Sequence, residues 1–199
     1  MVMHTRFVEF FYDIRSPYAY FAWKKRHHLE KEKIEFTLSP VSVDGLLNLP
    51  ANRGIWDAYE DPLCAQKRSH LMKDIARLSR FWNIKIGSPF GFKPSSTKLM
   101  ALLAILKLES EAQEKLLDRA FDDLWMHAID IDDTDYVLKL LRELEIDSGS
   151  LESLDTGNEH LASATQRAFE RGVFGVPSFI MKNEIYFGAD RVDLMVSGQ

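Results

Sequence analysis

Cysteine is almost absent from this chain: Cys64 is the single one in 199 residues. One thiol cannot build a disulfide framework or a four-cysteine zinc site, and no metal is expected. Positive charge is not in excess either. The 25 basic residues face 30 acidic ones, for a formal net charge of -5. No basic stripe with interleaved aromatics stands out, so nucleic acid is not an expected partner. No apolar run approaches the roughly 18 residues that read as a membrane-spanning helix. His4, Arg6 and Glu9 interrupt the opening apolar stretch, which does not read as a signal-peptide core. Internal repeats and low-complexity segments are lacking as well. These absences set the expectation of a soluble, cytoplasmic protein of a reducing compartment. What is present, 46% hydrophobic residues over this length, suffices for one sizeable core, or one domain carrying a large insertion.

The apolar run from Phe7 to Tyr12 predicts a buried strand within residues 6–12. Ser16-Pro17 then opens a helix over 17–31. Serine is a favoured N-cap, and proline is favoured at the first helical position. Ile34, Phe36 and Leu38 alternate with Glu35, Thr37 and Ser39, a half-buried strand that Pro40 ends. A βαβ opening of this kind favours a parallel pair and a right-handed crossover. Strand signals then stop for more than a hundred residues. Leu71, Ile75, Leu78 and Trp82 fall at helical spacing, as do Leu117, Phe121, Leu124 and Ala128, and Val137, Leu140, Leu141 and Leu144. Pro94-Ser95-Ser96 opens a further apolar helix through Leu108, and Asp130–Asp135 reads as a turn carrying an N-cap. A last long helix over Asn158–Arg171 ends at Gly172. Ser178–Met181 and Glu184–Phe187, joined at Lys182-Asn183, predict an antiparallel hairpin. Asp190 caps a short helix holding Val192, Leu194 and Met195. This order predicts a thioredoxin-like α/β fold with an all-helical insertion domain. Residues 1–44 and 156–199 form the discontinuous thioredoxin-like domain, and 45–155 the insertion.

Two segments carry the chemistry. Ser16 stands where a strand meets a helix, with its hydroxyl at the positive helix end. Thioredoxin-like folds place a CxxC redox motif at that junction. Here the four positions read Ser16-Pro17-Tyr18-Ala19, so any sulfur must come from outside, and disulfide oxidoreductase chemistry has no thiol to run on. The plain alternative for Ser16 is a helix cap. In Gly172-Val173-Phe174-Gly175-Val176-Pro177, a valine-proline pair enters a strand where such folds keep a cis-proline. Cis costs only about 0.5–1 kcal/mol before proline. It would leave the N–H and C=O of Val176 free to pair with an extended peptide. An ordinary trans proline opening an edge strand is the alternative.

With these motifs in order, the chain resembles the 2-hydroxychromene-2-carboxylate isomerase family, kin of the kappa-class glutathione transferases and the DsbA-type folds. The resemblance rests on Phe11-Tyr12-Asp13-Ile14-Arg15-Ser16-Pro17-Tyr18, on Lys67…Asp74…Arg77, on Gly172–Pro177 and on Phe187-Gly188-Ala189-Asp190-Arg191. It implies glutathione as cofactor. By the family pattern, Ser16 stabilises the bound thiolate and Val176, before Pro177, grips the cysteinyl backbone. Ala189 and Asp190 hold the γ-glutamyl end. The Asp190 carboxylate suits its amine, and the backbone N–H groups suit its carboxylate. The position of Ala189 is often polar in the family. Lys67 matches the lysine that holds the glycyl carboxylate, and His70 stands where a tyrosine is usual. Asn52 matches a family asparagine, without the preceding glycine. Arg191 reads as a structural ion pair, and Asp74 and Arg77 can pair with each other. Trp56, Phe90 and Phe92 are candidate walls for an aromatic substrate, or simply packing residues. Cys64 reads as inert.

The resemblance therefore implies a glutathione-dependent isomerase acting on a small aromatic or electrophilic substrate. The thiolate adds, a bond rotates, and elimination returns the thiol. A kappa-like glutathione transferase and a non-catalytic thioredoxin-fold binding protein are the alternatives. Homodimers are common in the family.

Overall fold

The computed structural model describes residues 6–58, 64–87, 94–106, 110–146 and 154–197. Strand β1 (Arg6–Tyr12) leads through Asp13–Ser16 into α1 (Pro17–Lys25) and α2 (His27–Lys31), then to β2 (Ile34–Pro40). Helices α3 (Val43–Asn48), α4 (Ala65–Trp82), α5 (Thr97–Ile105), α6 (Ser110–Trp125) and α7 (Thr134–Glu143) follow, with a short 3₁₀ turn at Leu49–Ala51. Helix α8 (Leu154–Glu170) returns the chain to β3 (Ser178–Met181), β4 (Glu184–Phe187) and α9 (Arg191–Ser197). The sheet order is β2-β1-β3-β4. β1 pairs parallel with β2 and antiparallel with β3, and β3 with β4 is the expected hairpin. Its turn has positive φ at both Lys182 (52°) and Asn183 (65°), the geometry that matches strand twist in a two-residue hairpin.

Alternation along β1 serves two faces. Val8, Phe10 and Tyr12 enter the main core with Trp23, Phe121, Leu124 and Phe179. Phe10 stacks on Phe179 with ring centroids 4.9 Å apart. Phe11 enters a smaller cluster with Val41, Leu46, Ala168, Val173 and Val176. The fold thus matches the thioredoxin-like arrangement, and the described elements between β2 and α8 are all helical.

Three boundaries differ from expectation. The helix over 17–31 breaks at Arg26, because the Trp23 carbonyl is taken by Arg26 itself. Both its N–H (3.1 Å) and its Nη1 (3.2 Å) donate there. Its guanidinium stacks 3.9 Å from the Trp23 ring centroid and reaches Asp118 at 2.8 Å. Helix α8 begins at Leu154 rather than Asn158. Gly157 looks like a breaker but is needed inside the helix, since a Cβ there would lie 2.6 Å from the Ala101 carbonyl oxygen. Helix α5 ends at Ile105, short of the expected Leu108; residues 107–109 lie outside the described residues.

Candidate functional site

The turn before Ser16 is clamped from several sides. The Asp13 carboxylate is buried, and its Oδ1 accepts from the Arg15 N–H (3.0 Å) and the Ser96 hydroxyl (2.6 Å). Its Oδ2 accepts from the Val43 N–H at 3.0 Å. The Trp125 indole donates to the Ile14 carbonyl at 2.8 Å, and Arg15 pairs with Asp44. A buried carboxylate taking three donors fixes a loop firmly, because losing any one partner leaves a desolvated group unmatched.

Ser16 caps α1 as its sequence predicts. Its Oγ accepts from the Ala19 N–H at 3.2 Å. The same hydroxyl donates to the Val176 carbonyl at 3.4 Å, and the Val176–Pro177 bond is cis. Two motifs 160 residues apart therefore meet through one hydroxyl.

A cavity of about 520 Å³ opens beside this contact. Val176 and Pro177 form one part of its wall, Tyr18 of α1 another, and Leu71, Asp74, Leu78 and Trp82 of α4 a third. Phe187, Gly188, Ala189, Asp190 and Arg191 close it from the turn between β4 and α9. Gly188 is required in that turn. Its φ is +111°, and a Cβ would lie 2.6 Å from Asp190 Oδ1. Its N–H donates to the Pro177 carbonyl at 3.0 Å, which ties the turn to the cis-proline. The Asp190 carboxylate is exposed and meets Arg191 at 2.9 Å. Burial, then the nearby Asp74 charge, push the Tyr18 phenol above its ordinary value. It stays protonated at neutral pH and is a hydrogen-bond donor.

Val176, Pro177, Ala189 and Asp190 share the cavity wall, and Ser16, buried and not on that wall, joins them through the Val176 carbonyl. Lys67 is exposed and does not line the cavity. It precedes Leu71, Asp74 and Leu78 by four, seven and eleven positions, which puts it on the same face of α4. Asp74 and Arg77 lie 3.8 Å apart as an i, i+3 pair. Asn52 is exposed, at φ 54°, closing the 3₁₀ turn with its N–H on the Leu49 carbonyl at 3.0 Å. It is not on the cavity wall. Trp56 is half exposed beside a separate crevice with Arg15, Asp44 and Ser96. Phe90 and Phe92 lie outside the described residues. Among the described residues the aromatic lining is Tyr18, Trp82 and Phe187. Sequence reasoning placed these three in a motif, a helical stripe and a hairpin without giving them a role. Cys64 is a free, exposed thiol just before α4.

Residues 7–198 match the sequence model of the DSBA-like thioredoxin domain. A 2-hydroxychromene-2-carboxylate isomerase of Sphingobium xenophagum is 25% identical over 199 residues, covering 97% of both chains. Glutathione S-transferase kappa 1 of Rattus norvegicus is 22% identical over 96% of this chain and 89% of the rat enzyme. Among solved structures, a 2-hydroxychromene-2-carboxylate isomerase superposes with a TM-score of 0.80 at 21% identity, covering 96% of this chain and 93% of that one. The cytosolic disulfide reductase DsbM of Pseudomonas aeruginosa, solved with GSH, gives a TM-score of 0.61 at 16% identity, covering 97% and 98%.

Proposed function

The chain belongs to the DSBA-like thioredoxin domain family, and from that premise we propose that it is a glutathione-dependent isomerase of the 2-hydroxychromene-2-carboxylate type. The observation that carries this reading is the Ser16–Val176 contact. A hydroxyl stands where disulfide chemistry needs a thiol, bonded to the carbonyl of Val176, which with the cis-proline after it lines a 520 Å³ cavity. The only cysteine is exposed at the start of another helix, so the sulfur has to be brought by a ligand.

The donor set fits a γ-glutamyl tripeptide thiol. Among the described residues the N–H of Val176 has no acceptor, and an extended cysteinyl backbone could supply one. Asp190 would hold the γ-glutamyl amine, and the N–H groups of Ala189 and Asp190 its carboxylate. Lys67 would reach the glycyl carboxylate. Bound glutathione supplies a thiolate that adds reversibly to an aromatic or unsaturated electrophile and is regenerated.

The protein's part is to favour the ionised thiol and exclude water. The Ser16 Oγ–H, now on the Val176 carbonyl, would turn to donate to the sulfur while Oγ keeps the Ala19 N–H. A hydrogen bond to the charged form lowers the thiol pKa. Tyr18, on the cavity wall with its phenol protonated, would donate to a substrate oxygen there. Leu71, Leu78 and Trp82 cover the apolar body of a small aromatic substrate.

A second reading, a kappa-like glutathione transferase, is favoured by the rat relative and by a 25% identical human one of the same name. Both readings use one glutathione site and differ in the fate of the thiol. Calorimetry with glutathione tests the site. Turnover with a hydroxychromene carboxylate and a chlorinated nitroaromatic then separates the two, since the isomerase leaves the thiol titre constant and the transferase consumes it. Binding without turnover of either would leave a binding protein. No glutathione binding would end both enzyme readings.

A further inference from the structure

Lys25 carries a charge where charge is seldom kept. Its side chain is only 4% exposed. Its ammonium donates to Asp193 Oδ2 at 2.7 Å and to the Ala189 carbonyl at 3.3 Å, and lies 4.1 Å from the Trp82 ring centroid. Lysine is almost never fully buried unless paired. Even a well-made buried ion pair adds little over apolar residues of the same volume, so stability does not account for it. Its contacts do. Trp82 and Ala189 both line the cavity, one from α4 and the other from the turn before α9.

A trans peptide is planar, with its C=O and N–H on opposite edges. Val176–Pro177 is the cis bond recorded among the described residues, so the Ala189–Asp190 peptide is trans. Its carbonyl is drawn inward to Lys25, which turns the Asp190 N–H away from the core, on the side where Ala189 and Asp190 form the cavity wall. Among the described residues no acceptor meets that N–H. Helix α9 has seven residues and contributes little field of its own. The ammonium does contribute one, because a cation on the carbonyl polarises the peptide and strengthens its N–H as a donor.

We propose that Lys25 is a positioning residue for the glutathione site. It holds and polarises the Ala189–Asp190 peptide, so that the Asp190 N–H receives the γ-glutamyl α-carboxylate. Lys25 never touches the ligand. This inference rests on the glutathione reading above.

The test compares two ligands by calorimetry on the full chain: glutathione, and 4-aminobutyryl-cysteinylglycine, which lacks only that carboxylate. Lys25→Met should weaken glutathione roughly tenfold, the scale of one charge-assisted hydrogen bond. It should leave the truncated tripeptide within about twofold, since the lost contact is absent from it. Lys25→Arg keeps the charge and should restore most of the preference. If Lys25→Met does not fold, Lys25→Gln carries the same comparison. Equal weakening of both ligands would mean that Lys25 only supports the fold, and an unchanged glutathione constant would remove it from the site. If the wild-type chain binds neither tripeptide, the glutathione reading itself falls.

Discussion

Replacing Ser16 by alanine should separate its two bonds. As an N-cap it accepts from Ala19 at 3.2 Å, and caps of this kind contribute about 1 kcal/mol. The bond to Val176 is long, at 3.4 Å, and adds little. The Val176 carbonyl keeps a route to solvent, because the residue sits on the cavity wall. The fold should therefore lose about 1–2 kcal/mol. For a chain of this size that lowers the melting temperature by roughly 2–8 °C. The effect on a bound thiol should be larger than a cap accounts for. A hydrogen bond to a charged group is worth about 1.5–3 kcal/mol, and one pKa unit is about 1.4 kcal/mol, so the thiol pKa of bound glutathione should rise by about 1–2 units. Ultraviolet absorbance of the thiolate, followed against pH in the wild-type and Ser16→Ala complexes, reads this directly. The rate at neutral pH should fall and recover in part at higher pH, where solvent ionises the thiol unaided. Ser16→Cys should trap glutathione as a mixed disulfide under oxidising conditions. A thiol pKa that does not move in Ser16→Ala, together with no adduct in Ser16→Cys, would reduce Ser16 to a helix cap and refute the mechanism.

Much of the scaffold was legible because its signals are local. Ser16-Pro17 encodes a cap and a first turn, and both form. The alternating faces of β1 and β2, the Lys182-Asn183 turn and Gly172 at φ 90° all follow from residue types at single positions. What failed was non-local. Nothing near Gly157 announces that the Ala101 backbone crosses it, and the expected helix start at Asn158 fell four residues late. Nothing around Arg26 shows that its guanidinium will lie on Trp23 and bond Asp118, 92 residues away. The site divides in the same way. The Ser16, Pro177 and Asp190 segments were each visible as motifs, but their meeting at one cavity is a tertiary fact. Among the described residues the aromatic walls are Tyr18, Trp82 and Phe187, none of which carries a local signal for that role. A helical stripe looks the same in sequence whether it faces a core or a cavity, so Trp82 could not be told from a packing residue. Lys25 was hidden for the opposite reason. A lysine in the last turn of a helix reads as solvated, and only its Ala189 and Asp193 partners, more than 160 positions on, pull it inward.

Three further outcomes are expected. Lys67→Ala should weaken glutathione by about 1–3 kcal/mol if its ammonium meets the glycyl carboxylate, and an unchanged dissociation constant would return Lys67 to the solvated surface. Gly188→Ala should lower both melting temperature and glutathione affinity, because a side chain at φ +111° is strained and its Cβ would strike Asp190; thermal melts and calorimetry check the two separately. Acid unfolding should report Asp193. Burial alone would raise its carboxyl, but the hydrogen bond and charge of Lys25, with those of His28, outweigh it and hold the group below its ordinary 3.8. A carboxylate whose pKa is depressed by folding stabilises the native state above the unfolded value, and that contribution is lost as pH falls through the folded value. The Asp193 share of stability should therefore be complete from neutral pH down to about pH 5, and it should fade as the pH falls past 3.8 and on through the lower folded value. Denaturant melts of Asp193→Asn against the wild type should show a gap at neutral pH that closes over that range. The gap should be modest, because the side chain is 55% exposed and solvent screens the pair. A gap that stayed constant down to the lowest pH would mean that Lys25 does not draw its stabilisation from the Asp193 charge, and the buried ammonium would then depend on Ala189 and Trp82 alone.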